Sequence, residues 1–204
     1  FIRSMATRGY AGGLALAVPG MVRVFDAFGF NPVIIETVGV GQVEVDVASA
    51  ADTVVVVVTS GWGDAVQANK AGLLEIADLF VVNKADRPGA NDARRDLELM
   101  IDLSQVTGQA VRRPEIVMTT ATEGKGLNEL KEAVSEHHQI LIQEDQMSLR
   151  RSKRWKAEVR SRLEYLLSEF SKESIDNLEE NQESSPSSVA NDLAKNLLKK
   201  DELG

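Results

Sequence analysis

Asn83-Lys84-Ala85-Asp86 directly follows the apolar run Leu79-Phe80-Val81-Val82. At the end of a strand, an Asp86 carboxylate can accept paired hydrogen bonds from the ring N–H and exocyclic amine of guanine. Adenine lacks that amine, so against it the carboxylate is left unpaired and desolvated. Asn83 can bridge the guanine edge and neighbouring loops, while the aliphatic stem of Lys84 covers the base face. The plainer alternative is a polar turn running into Pro88-Gly89. Such a tetrapeptide arises by chance in roughly a few per cent of chains of this length, and less often at a strand end. Guanine recognition is therefore the expected role.

A second string, Ile34-Ile35-Glu36-Thr37-Val38-Gly39-Val40-Gly41-Gln42, lies upstream. An acid such as Glu36 at the tip of a buried strand can hold Mg²⁺ through water. Gly39 offers its N–H to a γ-phosphate with no side chain in the way, and Gly41 lets the loop move. Alone, the string reads as a strand-end acid and a glycine turn; upstream of Asn83 in one sheet, the nucleotide reading prevails. Thr119-Thr120-Ala121 closes a further expected strand, where a small residue with a free N–H can touch the guanine carbonyl. Singly it is weak, and its order in the chain gives it weight. Between Ser60 and Lys70, Gly61 and Gly63 allow a mobile loop in which Asp64 and Lys70 could sense the nucleotide; a surface loop with Trp62 tucked inward fits equally.

The chain contains no Gly-x-x-x-x-Gly-Lys-Ser/Thr, and Gly124-Lys125-Gly126 lacks both the spacing and the hydroxyl. Without that loop no backbone nest cradles the β-phosphate. The chain opens Phe1-Ile2-Arg3, with neither Met nor a signal pattern. The expectation is a fragment whose first strand and phosphate loop lie upstream, and which by itself hydrolyses no GTP.

The elements that must position these residues alternate. Short β-branched runs at 32–36, 53–59, 79–82 and 116–119 suit strands buried on both faces of a parallel sheet. Helical patterns fall between them at 65–77, 91–106 and 126–142, the last placing Leu127, Leu130, Val134 and His137 near one face. An α/β sheet with ligands at the carboxyl ends of its strands follows. Pro19-Gly20 predicts a helix break, or a helix starting near Pro19. From about 145 the character changes. Residues 150–162 hold seven Arg/Lys and one acid, and residues 163–183 hold seven acids and one Lys. Trp155, Val159, Leu163, Leu166 and Phe170 form an apolar stripe on one long helix. Ser184-Ser185-Pro186-Ser187-Ser188 is a breaker, and Val189 to Lys199 reads as a short helix capped by Ser187 or Ser188. The expected layout is an α/β part over 1–144 and a helical arm over 145–204.

Composition narrows the function. The 204 residues carry 23 Lys+Arg against 31 Asp+Glu, a net charge of -8, which disfavours a coat for nucleic acid or an anionic membrane. The absence of cysteine rules out a disulfide framework, a thiolate zinc site and a cysteine nucleophile. The two adjacent histidines, His137 and His138, leave little for a histidine metal site. No apolar run is long enough to span a bilayer.

Across nearly its whole length the chain resembles the methylmalonyl-CoA mutase-associated GTPases, the MeaB/ArgK type once labelled LAO/AO transport kinases. The resemblance rests on Phe1 to Gly9 with Gly12-Gly13-Leu14-Ala15, on Glu36 to Gln42 with Glu44, on Gly61 to Leu73, and on Asn83 to Asp86. Glu-Thr-Val-Gly-Val-Gly-Gln is close to diagnostic, because most GTPases begin it with Asp. The resemblance implies a P-loop NTPase of the dimer-forming, signal-recognition-like class. It implies GTP/GDP and Mg²⁺ as ligands and a cytoplasmic homodimer. Its partner would be an adenosylcobalamin-dependent acyl-CoA mutase, for which it gates cofactor delivery and guards against inactivation. By this analogy Glu36 helps hold Mg²⁺, Gly39 to Gln42 form switch II, and Gly61 to Lys70, with Asp64, form a third switch facing the mutase. Asn83, Lys84 and Asp86 read guanine, Thr120 and Ala121 complete the base pocket, and the helices after 145 correspond to the dimerisation arm. Two other readings compete: a non-catalytic α/β module that binds a partner or itself through the arm, and an ATP-using transport kinase, against which Asp86 argues.

Overall fold

The computed structural model describes residues 1–5, 13–37, 50–61, 70–106, 112–178 and 185–200. Three strands, β1 (Val55–Thr59), β2 (Leu79–Asn83) and β3 (Glu115–Thr119), form a parallel sheet in the order β1-β2-β3. The register sets Thr59 beside Asn83 and Asn83 beside Thr119, so all three carboxyl ends finish at one edge.

Each connection carries a helix, as parallel pairing requires. Helix α2 (Lys70–Ile76) follows β1, α3 (Ala90–Val106) joins β2 to β3, and α4 (Leu127–Gln143) follows β3. Alternation along β2 sends Phe80 and Val82 to one face, where they pack with Ala77, Ala90, Ala93, Leu97 and Ile101. Leu79 and Val81 go to the other face with Val117, Ala133, Leu130 and Val134. Phe80 and Val82 are 0% exposed, which explains why β2 is apolar at both parities.

Two expectations change here. Residues 33–37 form no strand, and Ile34 is 83% exposed; no described strand lies beside it to supply a hydrogen-bonded ladder. Helix α1 (Gly13–Ala27) runs straight through Pro19. The helix loses the bond that a residue-19 N–H would make to the carbonyl of Ala15, while burial of Val18 and Pro19 offsets the loss.

Helix α5 runs from Gln146 to Asp176 and α6 from Pro186 to Lys200. The final helix starts earlier than its periodicity predicts. Ser185, rather than Ser187 or Ser188, caps it, its Oγ accepting the Ser188 N–H at 3.2 Å with Pro186 at the first helical position. The chain divides into two compact units, 1–159 and 160–204. In the second unit Leu163, Leu166, Leu167 and Ile175 are exposed on α5.

Candidate functional site

The carboxyl edge of the sheet brings together five of the residues singled out above. Asn83 ends β2, and its Oδ1 accepts the Thr119 hydroxyl at 3.1 Å and the Ala121 N–H at 3.2 Å. The Ala85 N–H donates to the Thr119 carbonyl at 2.9 Å. The Thr119 and Ala121 donors both fall on the side-chain oxygen, and among the described residues nothing is paired with the two N–H donors of Asn83 Nδ2. Lys84 adopts φ +57°, the left-handed region that side chains seldom enter. A bond from the Arg87 N–H to its carbonyl, 3.0 Å, closes the turn. Residues in such backbone cluster at ligand sites. Asp86 follows, exposed.

The second loop is built as firmly. Thr120 is 5% exposed; its N–H donates to the Lys125 carbonyl at 3.0 Å and its carbonyl accepts the Glu123 N–H at 2.9 Å. A 3₁₀ turn, Ala121–Glu123, fills the interval. Gly126 then opens α4 at φ +77° and passes against the Met118 backbone. Lys125 Nζ lies 2.6 Å from Glu123. The hydrogen bond to Glu123 raises the ammonium pKa, with a smaller contribution from the Asp86 carboxylate, so Lys125 sits on the rim as one half of an ion pair with Glu123. The sequence marks Lys125 only as part of an incomplete phosphate loop, not as a rim residue.

Glu36 is exposed in the irregular segment 33–37. Gly39, Gln42, Asp64 and Trp62 lie outside the described residues, and Lys70 opens α2 with its backbone alone described. Among the described residues no group of three His, Cys, Asp or Glu side chains could hold a metal ion.

The opposite edge holds a polar network that the sequence does not announce. Asp78, just before β2, has its side chain 11% exposed. It accepts the Val54 N–H at 2.9 Å, both guanidinium nitrogens of Arg150 at 2.9 and 2.7 Å, and lies 3.2 Å from His137 Nε2. His137 Nδ1 lies 2.9 Å from the Thr53 hydroxyl. Burial alone pushes the Asp78 pKa up; the bonds from His137, Arg150 and Val54 outweigh it and hold the carboxyl at about 2, below the ordinary 3.8. A depressed carboxyl stabilises the fold above its unfolded pKa, and that stability drains as pH falls from 3.8 through about 2. With partial exposure discounted, the contribution is about 2 kcal/mol. Asp78→Asn should therefore flatten the pH dependence of urea stability between pH 4 and 2 while lowering stability at pH 7. An unchanged acid limb would place the proton elsewhere.

The family model for the methylmalonyl Co-A mutase-associated GTPase MeaB matches residues 1–175. A protein of Pyrococcus abyssi whose name reads GTPase is 48% identical over 162 residues, 79% of this chain and 50% of its own length. GTPase ArgK of Escherichia coli is 32% identical over 66% of this chain and 41% of its own. The mouse methylmalonic aciduria type A homolog, mitochondrial, is 33% identical over 69% of this chain and 35% of its own. The chain thus spans about half the length of these and similar curated relatives. A crystal structure of an LAO/AO transport system kinase superposes with a TM-score of 0.64 at 21% identity, over 91% of this chain and 63% of that one. That likeness shows the fold, a parallel α/β sheet with flanking helices. Matched by the family model over residues 1–175 and 48% identical to a relative over 79% of its length, the chain belongs to the methylmalonyl Co-A mutase-associated GTPase family of the MeaB type.

Proposed function

We propose that this chain is part of a protein that binds and hydrolyses GTP with Mg²⁺ and assists an adenosylcobalamin-dependent acyl-CoA mutase, gating cofactor loading and guarding the enzyme, and that the stretch 1–204, which carries no phosphate loop, hydrolyses no GTP by itself. The observation that carries this reading is the locked carboxyl edge, where Asn83 ties its own loop to Thr119 and Ala121 and leaves Asp86 presented beside it. Asn83, Lys84 and Asp86 take the guanine, and Thr120 and Ala121, whose N–H groups are not free but bonded to Lys125 and Asn83, line the base pocket. Glu36 holds Mg²⁺ through water, in keeping with a cation that keeps most of its hydration shell. Gly39 and Gln42 serve the γ-phosphate, and Asp64 and Lys70 the third switch. The family's name supports the link to a mutase.

The arm from 145 onward serves a cytoplasmic homodimer. Its basic 150–162 and acidic 163–183 halves are complementary when two copies run antiparallel, and the exposed leucines of α5 give that pairing an apolar seam.

The partner claim is tested at the third switch. A tryptophan between two glycines is a natural anchor for a covering surface. In the intact protein, Trp62→Ala and Lys70→Ala should leave GTP binding within about twofold and cut the mutase-stimulated rate of hydrolysis about tenfold. Stimulation equal to wild type in both variants would assign the segment to packing. The same preparation, sized in solution, should have twice the mass of the chain.

A further inference from the structure

The backbone N–H groups of Thr120 and Ala121 are already bonded, to Lys125 and Asn83. What β3 adds to the carboxyl edge is a side chain, the hydroxyl of Thr119. Thr119 is the last residue of β3, is 3% exposed, and stands in register beside Asn83. Its hydroxyl donates to Asn83 Oδ1 at 3.1 Å, and its carbonyl accepts the Ala85 N–H at 2.9 Å. Gly126 closes on its backbone from the other side, where a Cβ would meet Thr119 Cα at 3.0 Å. One buried residue thus holds Asn83 by its side chain and the following turn by its main chain.

The directions of these bonds are forced. A backbone N–H only donates, so the Ala121 N–H requires the oxygen of the Asn83 carboxamide, not its nitrogen, to face it. A carbonyl oxygen only accepts, so the Thr119 hydroxyl must donate its single proton there. Two donors on Oδ1 fix the plane of the carboxamide and leave both N–H groups of Nδ2 facing away from them. The same donation strengthens those N–H groups, because hydrogen bonds in a chain polarise one another. Without the hydroxyl, Oδ1 keeps only the exposed Ala121 contact at 3.2 Å. The carboxamide then swings about one bond, a freedom that ligand binding has to remove.

We infer that Thr119 is a positioning residue for guanine binding: its buried hydroxyl sets the Asn83 carboxamide so that Nδ2 presents two donors to the base. The inference rests on the guanine reading above. It gives the Thr119 side chain a task distinct from strand formation, for which valine would serve as well.

The test titrates the intact protein with guanosine diphosphate and with inosine diphosphate, whose base lacks the exocyclic amine that Asp86 reads. Thr119→Val keeps the shape, the β-branch and the main-chain bonds and removes the donor. It should weaken both nucleotides about five- to tenfold, the worth of one hydrogen bond. Their affinity ratio should stay within about twofold of wild type, because Asp86 is untouched. Thr119→Ser restores the donor and should bind within about twofold of wild type. Thr119→Cys, a weak donor of similar size, should fall between the two, and it serves if the valine variant folds poorly. In an Asn83→Ala background, Thr119→Val should change affinity by less than about twofold, since the group it positions is gone. Wild-type affinity in both the valine and cysteine variants overturns the inference, and so does an undiminished loss in the Asn83→Ala background. A reduced preference for guanosine over inosine diphosphate overturns it too, because the loss would then come from a displaced Asp86. A wild-type protein that binds adenosine diphosphate as tightly as guanosine diphosphate overturns the guanine reading itself, before any variant is compared.

Discussion

Asp86→Asn in the intact protein should weaken GTP by about 2–4 kcal/mol, roughly 30- to 1000-fold, and leave ATP almost unaffected. Guanine presents two parallel donors, and a carboxylate meets both with acceptors. The carboxamide keeps one acceptor and turns the other into a donor facing a donor, so one pair is lost and one becomes repulsive. The change should act on binding alone. Asp86 is exposed, whereas the loop is held by the backbone of Ala85 and the side chain of Asn83, so the unfolding midpoint should stay within about 0.5 kcal/mol of wild type. A competition titration of GTP against ATP reads the result. Unchanged discrimination would remove the guanine-reading role, and loss of both nucleotides together would point to a collapsed loop.

Gly126→Ala should be the most destabilising single substitution at this edge. A Cβ there would stand 2.0 Å from the Met118 carbonyl oxygen, a backbone atom that no rotamer change can move aside. The residue also sits at φ +77°, a region that costs a side chain about 1–3 kcal/mol. Separating α4 from β3 adds a further overpacking cost of about 1–3 kcal/mol, so a loss of about 3 kcal/mol or more is expected. Gly124→Ala is the matched comparison: its φ is +72° but nothing lies within 4 Å of its Cβ position, so it should lose only about 1–2 kcal/mol. Urea midpoints at constant slope separate the two effects. Equal losses would assign everything to backbone conformation and nothing to the close approach.

The carboxyl edge proposed to read the base was legible because its residues stand next to a run that can only be a buried strand. Leu79 to Val82 is apolar at both parities, which fixes β2 and hence the place of Asn83. Helices α3 and α4 appear within a residue of their periodic patterns. The segment 32–36 reads as a strand for the same compositional reason, yet a strand needs a hydrogen-bonded neighbour and residues 33–37 have none among the described residues. Pro19 misleads differently: its local cost is real, and tertiary burial around Val18 overrides it. The Asp78 network could not be read at all. Asp52, Asp78, Arg150 and Arg154 look individually like solvated charge, and only the fold turns them into a half-buried, mutually paired set. One faint signal existed: Arg150 and Arg154 sit a helical turn apart in a stretch whose apolar stripe leaves that face to charge.

Three ion pairs of α5 have a consequence for the entropy of closing the chain. The sheet and its helices pair near neighbours, whereas Arg150–Asp78, Arg154–Asp52 and Arg23–Glu158 join residues 72, 102 and 135 apart. Closing any one such loop in a flexible chain costs on the order of 4 kcal/mol in entropy, more than one ion pair at the surface returns. The three anchors occupy consecutive turns of one helix, however, so a single closure brings the other two into reach almost without further loss. A lone grip would therefore hold α5 weakly, while all three hold it together. The three ion pairs therefore count as one chain closure rather than three.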